Sequence, residues 1–393
     1  MITQEEALVK ILNGVSVLPS RVTPLSHALG CFAARDIFAR LPMPLFDNSA
    51  MDGYAVVSSD CRPGAILRVV GEQAAGIDQK SQISAGEAVR IFTGAPMPNG
   101  ADAVVMQEDV KRDGSQITVN TAVARGEFVR RRGCDLSEGQ RIVATGEKVR
   151  AENLALLAAQ GLATIEVGKE LHTAIVSTGD ELVSPGASLQ PGQLYESNSV
   201  LLRALLEQMG AKVRSCEHAA DTQESLTAAL RAGFKHDVLV ISGGVSVGER
   251  DLVRPCLREL GVEIDLWRVA IKPGKPFLFG RAGNCAIFGL PGNPVSAFVT
   301  SLILVRPALL KMMGASEAFW SLPTTAAQLT SDVLNDGDRI HYIRGELRDG
   351  QFTPTGRQES HALFGLSRSN AFLPVAAGGK FAAGVTVIVQ TWN

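Results

Sequence analysis

Aromatic side chains make up only 5% of this 393-residue chain, too few for the rows of stacked rings on which single-stranded nucleic acid is bound. Net charge is nearly absent as well: 38 basic residues stand against 40 acidic ones, a formal −2. No long-range field draws a polyanion, so any anion site must be a local cluster, and no nucleic-acid partner is expected. Cysteine is sparse and dispersed. Cys31, Cys61, Cys134, Cys216, Cys256 and Cys285 form no CxxC pair, which excludes that class of zinc or redox motif and gives no compact disulfide framework. A reducing, cytoplasmic compartment is expected. The first residues, MITQEEALVKILNG, carry acids where a signal peptide requires a basic and then an apolar region. The longest apolar stretch, residues 295–305, includes Ser and Thr and runs into Arg306-Pro307. It reads as a core helix rather than a membrane span. GxGxxG and Walker A motifs, internal repeats and low-complexity segments are absent, and the histidines give neither a zinc spacing nor a Ser/His/Asp triad.

What is present is ample apolar content, 46% of residues with 20% charged, over a length that suggests two to four domains at about 150 residues each. Four regions differ in pattern. Residues 1–45 read as mostly helical, with periodic segments over 4–12 and 25–39, completed by about 146–170, which includes a helix over 151–160 stopped by Gly161. Residues 46–145 carry short Val- and Ile-rich runs between turn residues, a small β domain. From 171 to 314 strands and helices alternate: strands over 172–177, 212–215, 237–242 and 285–289, helices over 198–209, 221–232, 252–260 and 294–313. This predicts a doubly wound α/β domain. Residues 321–393 return to short strands. The fold class is thus multidomain, α/β plus β.

The chemistry concentrates in the α/β region. Arg268, Lys272 and Lys275 precede the loop Gly289-Leu-Pro-Gly-Asn-Pro294, which opens into a helix. Cations and free backbone N–H groups gathered at one point suit a phosphate-bearing anion. Two other strands end in polar loops, Ser177-Thr-Gly-Asp-Glu181 and Ser242-Gly-Gly-Val-Ser-Val-Gly-Glu-Arg-Asp251. Ligands of open α/β sheets bind beyond the carboxyl ends of the strands, so three such loops define one candidate site. Asp180, Glu181, Glu249 and Asp251 are candidate Mg²⁺ ligands, since Mg²⁺ takes a few carboxylates with phosphate oxygens and water. Asp251 reads equally as a helix cap. For Asp221 the sequence favours capping, with Glu224 completing a capping box. The β domain offers a second cluster: Asp47, Asn48, Ser49 and Asp52, then Thr93-Gly-Ala-Pro96 and the run Arg130, Arg131, Arg132, Gly133, Cys134, Asp135.

The segments FDNSAMDGYAV, IFTGAPMPNGADAVVMQE, VRRRGCDL, STGDEL, SGGVSVGERD, WRVAIKPGKPFLFG and GLPGNPVSAF occur in that order and resemble the MoeA family of molybdopterin molybdenumtransferases, related to the C-terminal domain of gephyrin. The resemblance runs from about Ser20 to the end. It implies a helical linker region, a small β domain, an α/β molybdopterin-binding domain and a C-terminal β-barrel. It further implies a homodimer whose site joins the α/β domain of one copy to the β domains of the other, with other cofactor-synthesis proteins as partners. The implied reaction takes adenylylated molybdopterin and molybdate, cleaves the pyrophosphate link with Mg²⁺ and releases AMP. By the same resemblance Asp52, Thr93, Glu181, Lys272 and Lys275 are catalytic positions, and Asp251, Glu181 and Asp221 hold the metal. Substrate contacts are implied for Arg130, Arg131, Arg132, Asp135, Ser177, Thr178, Gly179, Asp180, Asp221, Ser242, Gly243, Gly244, Ser246, Gly248 and Arg268, and for Pro291, Gly292, Asn293, Pro294, Arg344 and Ser360. The competing readings are an adenylyltransferase, pyrophosphatase or amidase on the same α/β module, and a non-catalytic scaffold. The β-domain segments around Asp52 and Thr93 have no role in a stand-alone adenylyltransferase.

Overall fold

The computed structural model describes residues 1–245 and 251–392. The chain forms two compact units, one of Met1–Arg35, Thr145–Leu154 and Ala163–Asn393, the other of Asp36–Ala144 and Ala155–Leu162.

In the larger unit, continuous apolar runs become strands buried on both faces. Six strands lie in the order Lys212–Ala219, His172–Thr178, Val238–Ser242, Cys285–Leu290, Leu278–Ala282, Glu263–Trp267. The first four are parallel, as the alternating pattern requires. The last two run antiparallel and extend the sheet over a stretch the sequence did not resolve into strands. Helix Asn198–Gln208 turns Leu202, Leu205 and Leu206 inward, a single stripe at helical spacing, and these join Ile175, Val240 and Phe288 in one core. Helix Gln223–Gly233 does the same with Leu226 and Leu230, which pack with Leu239, Ile241 and Ile287. Neighbouring residues of one strand thus feed different cores, which is the sign of a sheet covered on both sides.

The three loop-bearing strands end side by side at Thr178, Ser242 and Leu290. Glycine is required in the middle loop. Gly243 has φ +93, and a Cβ there would meet the Thr178 carbonyl at 2.8 Å. A Cβ at Gly244, with φ +63, would meet Val253 Cγ2 at 2.7 Å.

The 19-residue helical stretch Pro294–Met312 is long and apolar enough to cross a membrane, yet 89% of its most apolar stretch is buried inside the protein. It is a core helix, with a π-helical turn over Ser301–Val305. Beyond it the strands Thr324–Leu329, Ile340–Arg348, Gln351–Pro354, Ala371–Val375 and Thr386–Thr391 close on themselves as a five-stranded barrel.

Two expectations are corrected here. Residues 25–39 are not a helix: only the 3₁₀ turn Leu25–His27 forms. Pro24 and Gly30 (φ +77) punctuate the segment, and the backbone beyond finds partners across the chain, Gly30 N–H on Val149 O at 2.8 Å and Ala33 N–H on Glu147 O at 3.0 Å. The second helix of the α/β region is capped by Thr222, whose hydroxyl accepts the Ser225 N–H at 3.3 Å. The Asp221–Glu224 capping box is therefore not made, and the Asp221 carboxylate is released for other contacts. Helix Val253–Glu259 has Leu252 at its N-cap position, without a side-chain cap from that residue.

The smaller unit is built on a six-stranded sheet in the order Ala103–Met106, Gly53–Val56, Glu87–Ile91, Ile66–Gln73, Gln116–Val119, Val110–Asp113. Gly53, directly after Asp52, is fixed by crowding. A Cβ there would sit 2.0 Å from the Val105 carbonyl oxygen.

Candidate functional site

A cavity of about 1140 Å³ opens over the three strand ends of the larger unit, a size typical of small-molecule sites. It is lined by Thr178, Gly179, Glu181 and Asp221, by Ser242, Gly243, Gly244 and Asp251, by Lys272 and Lys275, and by Pro291, Gly292, Asn293, Pro294 and Ser360. All of these were proposed from sequence. Ser177 and Asp180 are not in the lining but adjoin Thr178 and Gly179, which are. Ser177 is buried, with its hydroxyl 3.2 Å from His218 Nδ1, and Asp180 accepts the Asp221 N–H at 3.0 Å. Ser246, Gly248 and Glu249 lie outside the described residues.

Hydrogen bonds stitch the loops together. Asp221 accepts the Thr178 hydroxyl and, at 3.3 Å, the Asp180 N–H, so two carboxylates are held side by side at the end of one strand. Asn198, buried at the start of its helix, donates to Ser242 Oγ at 2.8 Å and to Gly292 O at 2.7 Å. It ties the second loop to the third. Sequence reasoning missed Asn198 because a polar residue opening a helix reads as a cap and nothing more. In the same lining, Lys272 and Lys275 have no ion-pair partner among the described residues. Without such partners the two lysines are available to an incoming anion.

The helix at Pro294 supplies less than expected. Proline has no N–H, and the Val295 N–H donates to Ser360 O at 3.1 Å. The expected row of free donors is shortened by a segment of the barrel. Ser360 is held there by Asn293 Nδ2, 2.8 Å from its hydroxyl, so it faces the cavity of its own larger unit. Arg344 does not line the cavity. It is fully buried behind this segment and donates from Nη2 to Arg357 O at 2.6 Å. Its Nε and Nη1 are buried without partners, an arrangement that costs stability unless a ligand or water satisfies it.

Arg268 is likewise absent from the lining. Its guanidinium lies 4.1 Å from the Trp267 ring centre, and that of Arg254 lies 3.5 Å from it. The indole N–H donates to Val245 O at 3.1 Å. Arg268 belongs to a stack that holds the Val245 carbonyl through the Trp267 indole, and it is not in the cavity lining with Lys272 and Lys275.

Beside Lys272, in register with it, lies His341, 5% exposed with neither ring nitrogen partnered. Burial pushes its pKa down to about 4, aided by Lys272, Arg344 and Arg339 and opposed by Asp336. The folded chain therefore binds fewer protons than the unfolded chain between pH about 4 and 6.5, and stability rises with pH across that window. Denaturant midpoints are expected to fall as pH drops from 6.5 toward 4, by on the order of 2 kcal/mol in stability, and His341→Phe is expected to flatten that slope.

The smaller unit holds the second cluster. Asp52 Oδ1 accepts the Thr93 N–H at 2.7 Å and the Thr93 hydroxyl at 2.9 Å. These bonds, with the charge of Arg90, hold its pKa below the ordinary carboxylate value. Both residues are exposed. The arginine run is held by the Asp47 carboxylate. Although partial desolvation opposes it, the Asp47 carboxyl is held low by the Arg132 N–H at 2.7 Å and the Arg131 guanidinium at 2.6 Å. Arg130 pairs with Asn48, and the Asp135 N–H donates to Met43 O at 3.0 Å.

A metal test follows from the donor set. Among the described residues no three of His, Cys, Asp and Glu converge to hold a metal unaided. One or two carboxylates with substrate phosphates and water suffice for Mg²⁺, and Glu181, Asp221 and Asp251 all border the cavity. The set fits a cation that arrives with a phosphorylated substrate.

A four-stranded parallel core with a loop-built cavity, a β unit and a closed barrel define a multidomain α/β-plus-β protein with a small-molecule site, and sequence comparison gives its family. A probable molybdopterin binding domain model matches residues 174–311, and models of the MoeA N-terminal region (domain I and II) and C-terminal region (domain IV) match 2–161 and 326–392. The chain belongs to the MoeA family. A molybdopterin molybdenumtransferase of Haemophilus influenzae is 36% identical over all of this chain and 99% of its own length. One of Nostoc is 34% identical over 96% of this chain and 91% of its own. Two solved structures of a molybdopterin biosynthesis MoeA protein from Pyrococcus horikoshii superpose with a TM-score of 0.85, at 31% and 28% identity. Both cover all of this chain, and the alignments take in 99% and 100% of theirs.

Proposed function

We propose that this chain inserts molybdenum in molybdenum cofactor biosynthesis, converting adenylylated molybdopterin and molybdate to the cofactor and AMP with Mg²⁺. The observation that carries the reading is one cavity whose lining brings together Lys272 and Lys275, which have no ion-pair partner among the described residues, and the carboxylates of Asp221, Asp251 and Glu181. Adenylylated molybdopterin and molybdate are both anionic, so their approach to each other costs Coulomb energy that two unpaired ammonium groups offset. Glu181, Asp221 and Asp251 would hold Mg²⁺, which supplies charge neutralisation at the phosphate that leaves as AMP. The Thr178 hydroxyl and Asp180 N–H orient Asp221 for that task. Gly243, Gly244 and Gly292 let the backbone approach the pyrophosphate closely.

The same reading makes the protein a cytoplasmic homodimer working with other cofactor-synthesis proteins. The Asp52–Thr93 pair of one copy would complete the cavity of the other. Two polar clusters on separate units, neither with a full catalytic complement, support that arrangement.

The test is AMP release from adenylylated molybdopterin with and without molybdate and Mg²⁺. Release that requires molybdate, with activation of an apo-molybdoenzyme, is expected. Release without molybdate would instead mark a pyrophosphatase, and no release from folded protein would defeat the catalytic reading.

A further inference from the structure

Around the exposed Asp52–Thr93 pair one side chain is tied to both segments that carry it. Arg90 is half-buried on the neighbouring strand, directly across from Tyr54. Its Nη1 donates to Gly53 O at 3.0 Å, the carbonyl next to Asp52. Its Nη2 donates to Gln107 Oε1 at 2.6 Å, and the Gln107 N–H in turn donates to Asp52 O at 3.2 Å. The guanidinium also lies 4.9 Å from the ring centre of Phe92, the residue before Thr93, and 5.1 Å from that of Tyr54. One rigid fork thus clamps the chain on both sides of the Asp52–Thr93 hydrogen bonds. Lysine, with one charge point and no plane, could not make two directed bonds and two ring contacts together.

We propose that Arg90 is a positioning residue that fixes the Asp52 carboxylate against Thr93 for the partner copy's substrate. The proposal rests on the reading of Asp52 as a functional group. The charged groups around Asp52 are Arg90 and, through Gln107, Glu108, whose Oε1 lies 3.3 Å from Gln107 Nε2.

The experiment compares Arg90→Ala, Arg90→Gln and Arg90→Lys by molybdate-dependent AMP release and by a carbon-13 titration of the Asp52 carboxyl in the full chain. Removing the charge is expected to lower kcat about tenfold or more with little change in KM, and to move the Asp52 titration to higher pH. Lysine, which keeps the charge but not the fork, is expected to restore only part of the titration shift and part of kcat. Arg90→Gln keeps a donor toward Gly53 and serves if alanine does not fold. An unmoved Asp52 titration together with unchanged kcat in a folded Arg90→Gln chain overturns the proposal. An Asp52→Asn control separates the two readings. Full activity in that variant removes Asp52 from the reaction, while the Asp52 titration in the Arg90 series still decides whether Arg90 positions it.

Discussion

Alanine at Lys272 is expected to lower molybdate-dependent AMP release about 10²- to 10³-fold, the range seen when one preorganised charge-stabilising donor is removed from a dry site. The size follows from its surroundings. Lys272 borders the cavity without an ion-pair partner, so its charge is not already spent on a carboxylate. Its backbone is pinned by pairing to the barrel strand at His341, so the side chain is presented from a fixed base. Lys275, exposed and outside that pairing, is expected to cost less. Arg268→Ala is expected to spare the anion and act instead through the Trp267 stack and the loop at Val245. Single-turnover AMP release by the three variants gives the ranking directly, and equal losses at Lys272 and Arg268 would contradict the placement of Arg268 outside the cavity lining.

The second large effect is complementation. Chains carrying Asp52→Ala and chains carrying Lys272→Ala are each expected to be inactive. Co-refolded, they form mixed dimers in which one of two shared sites carries both intact residues, so about a quarter of wild-type activity returns under random pairing. No recovery, with mixed dimers demonstrated by mass, would show that the two clusters do not share a site between copies.

Much of this was legible in the sequence because local chemistry and global fold agree there. Gly243 and Gly244 had to be glycine, and the loops that contain them had to follow buried strands. The closed barrel was an expectation from family resemblance, and its strands do close. What was not legible depended on choices between neighbours. Thr222 and Asp221 are both good caps, and only the helix register decides that Thr222 takes the role. Residues 25–39 have an apolar spacing compatible with a helix, but beyond two local turns the N–H groups of Gly30, Ala33, Ala34 and Ala39 bond to residues more than a hundred positions away. Arg268 is a cation beside two lysines in sequence, yet its φ of +72 turns it onto Trp267. Arg90 carries no motif at all. Its role comes from a strand pairing that no spacing announces.

The Trp267 stack also gives the protein a built-in optical probe. An indole held between two guanidinium groups, with its N–H on the loop that borders the cavity, has its excited state set by nearby charge. An anion entering beside Gly243 and Gly244 changes that field, so occupancy is written into the emission of a residue that does not line the cavity, without any label being attached.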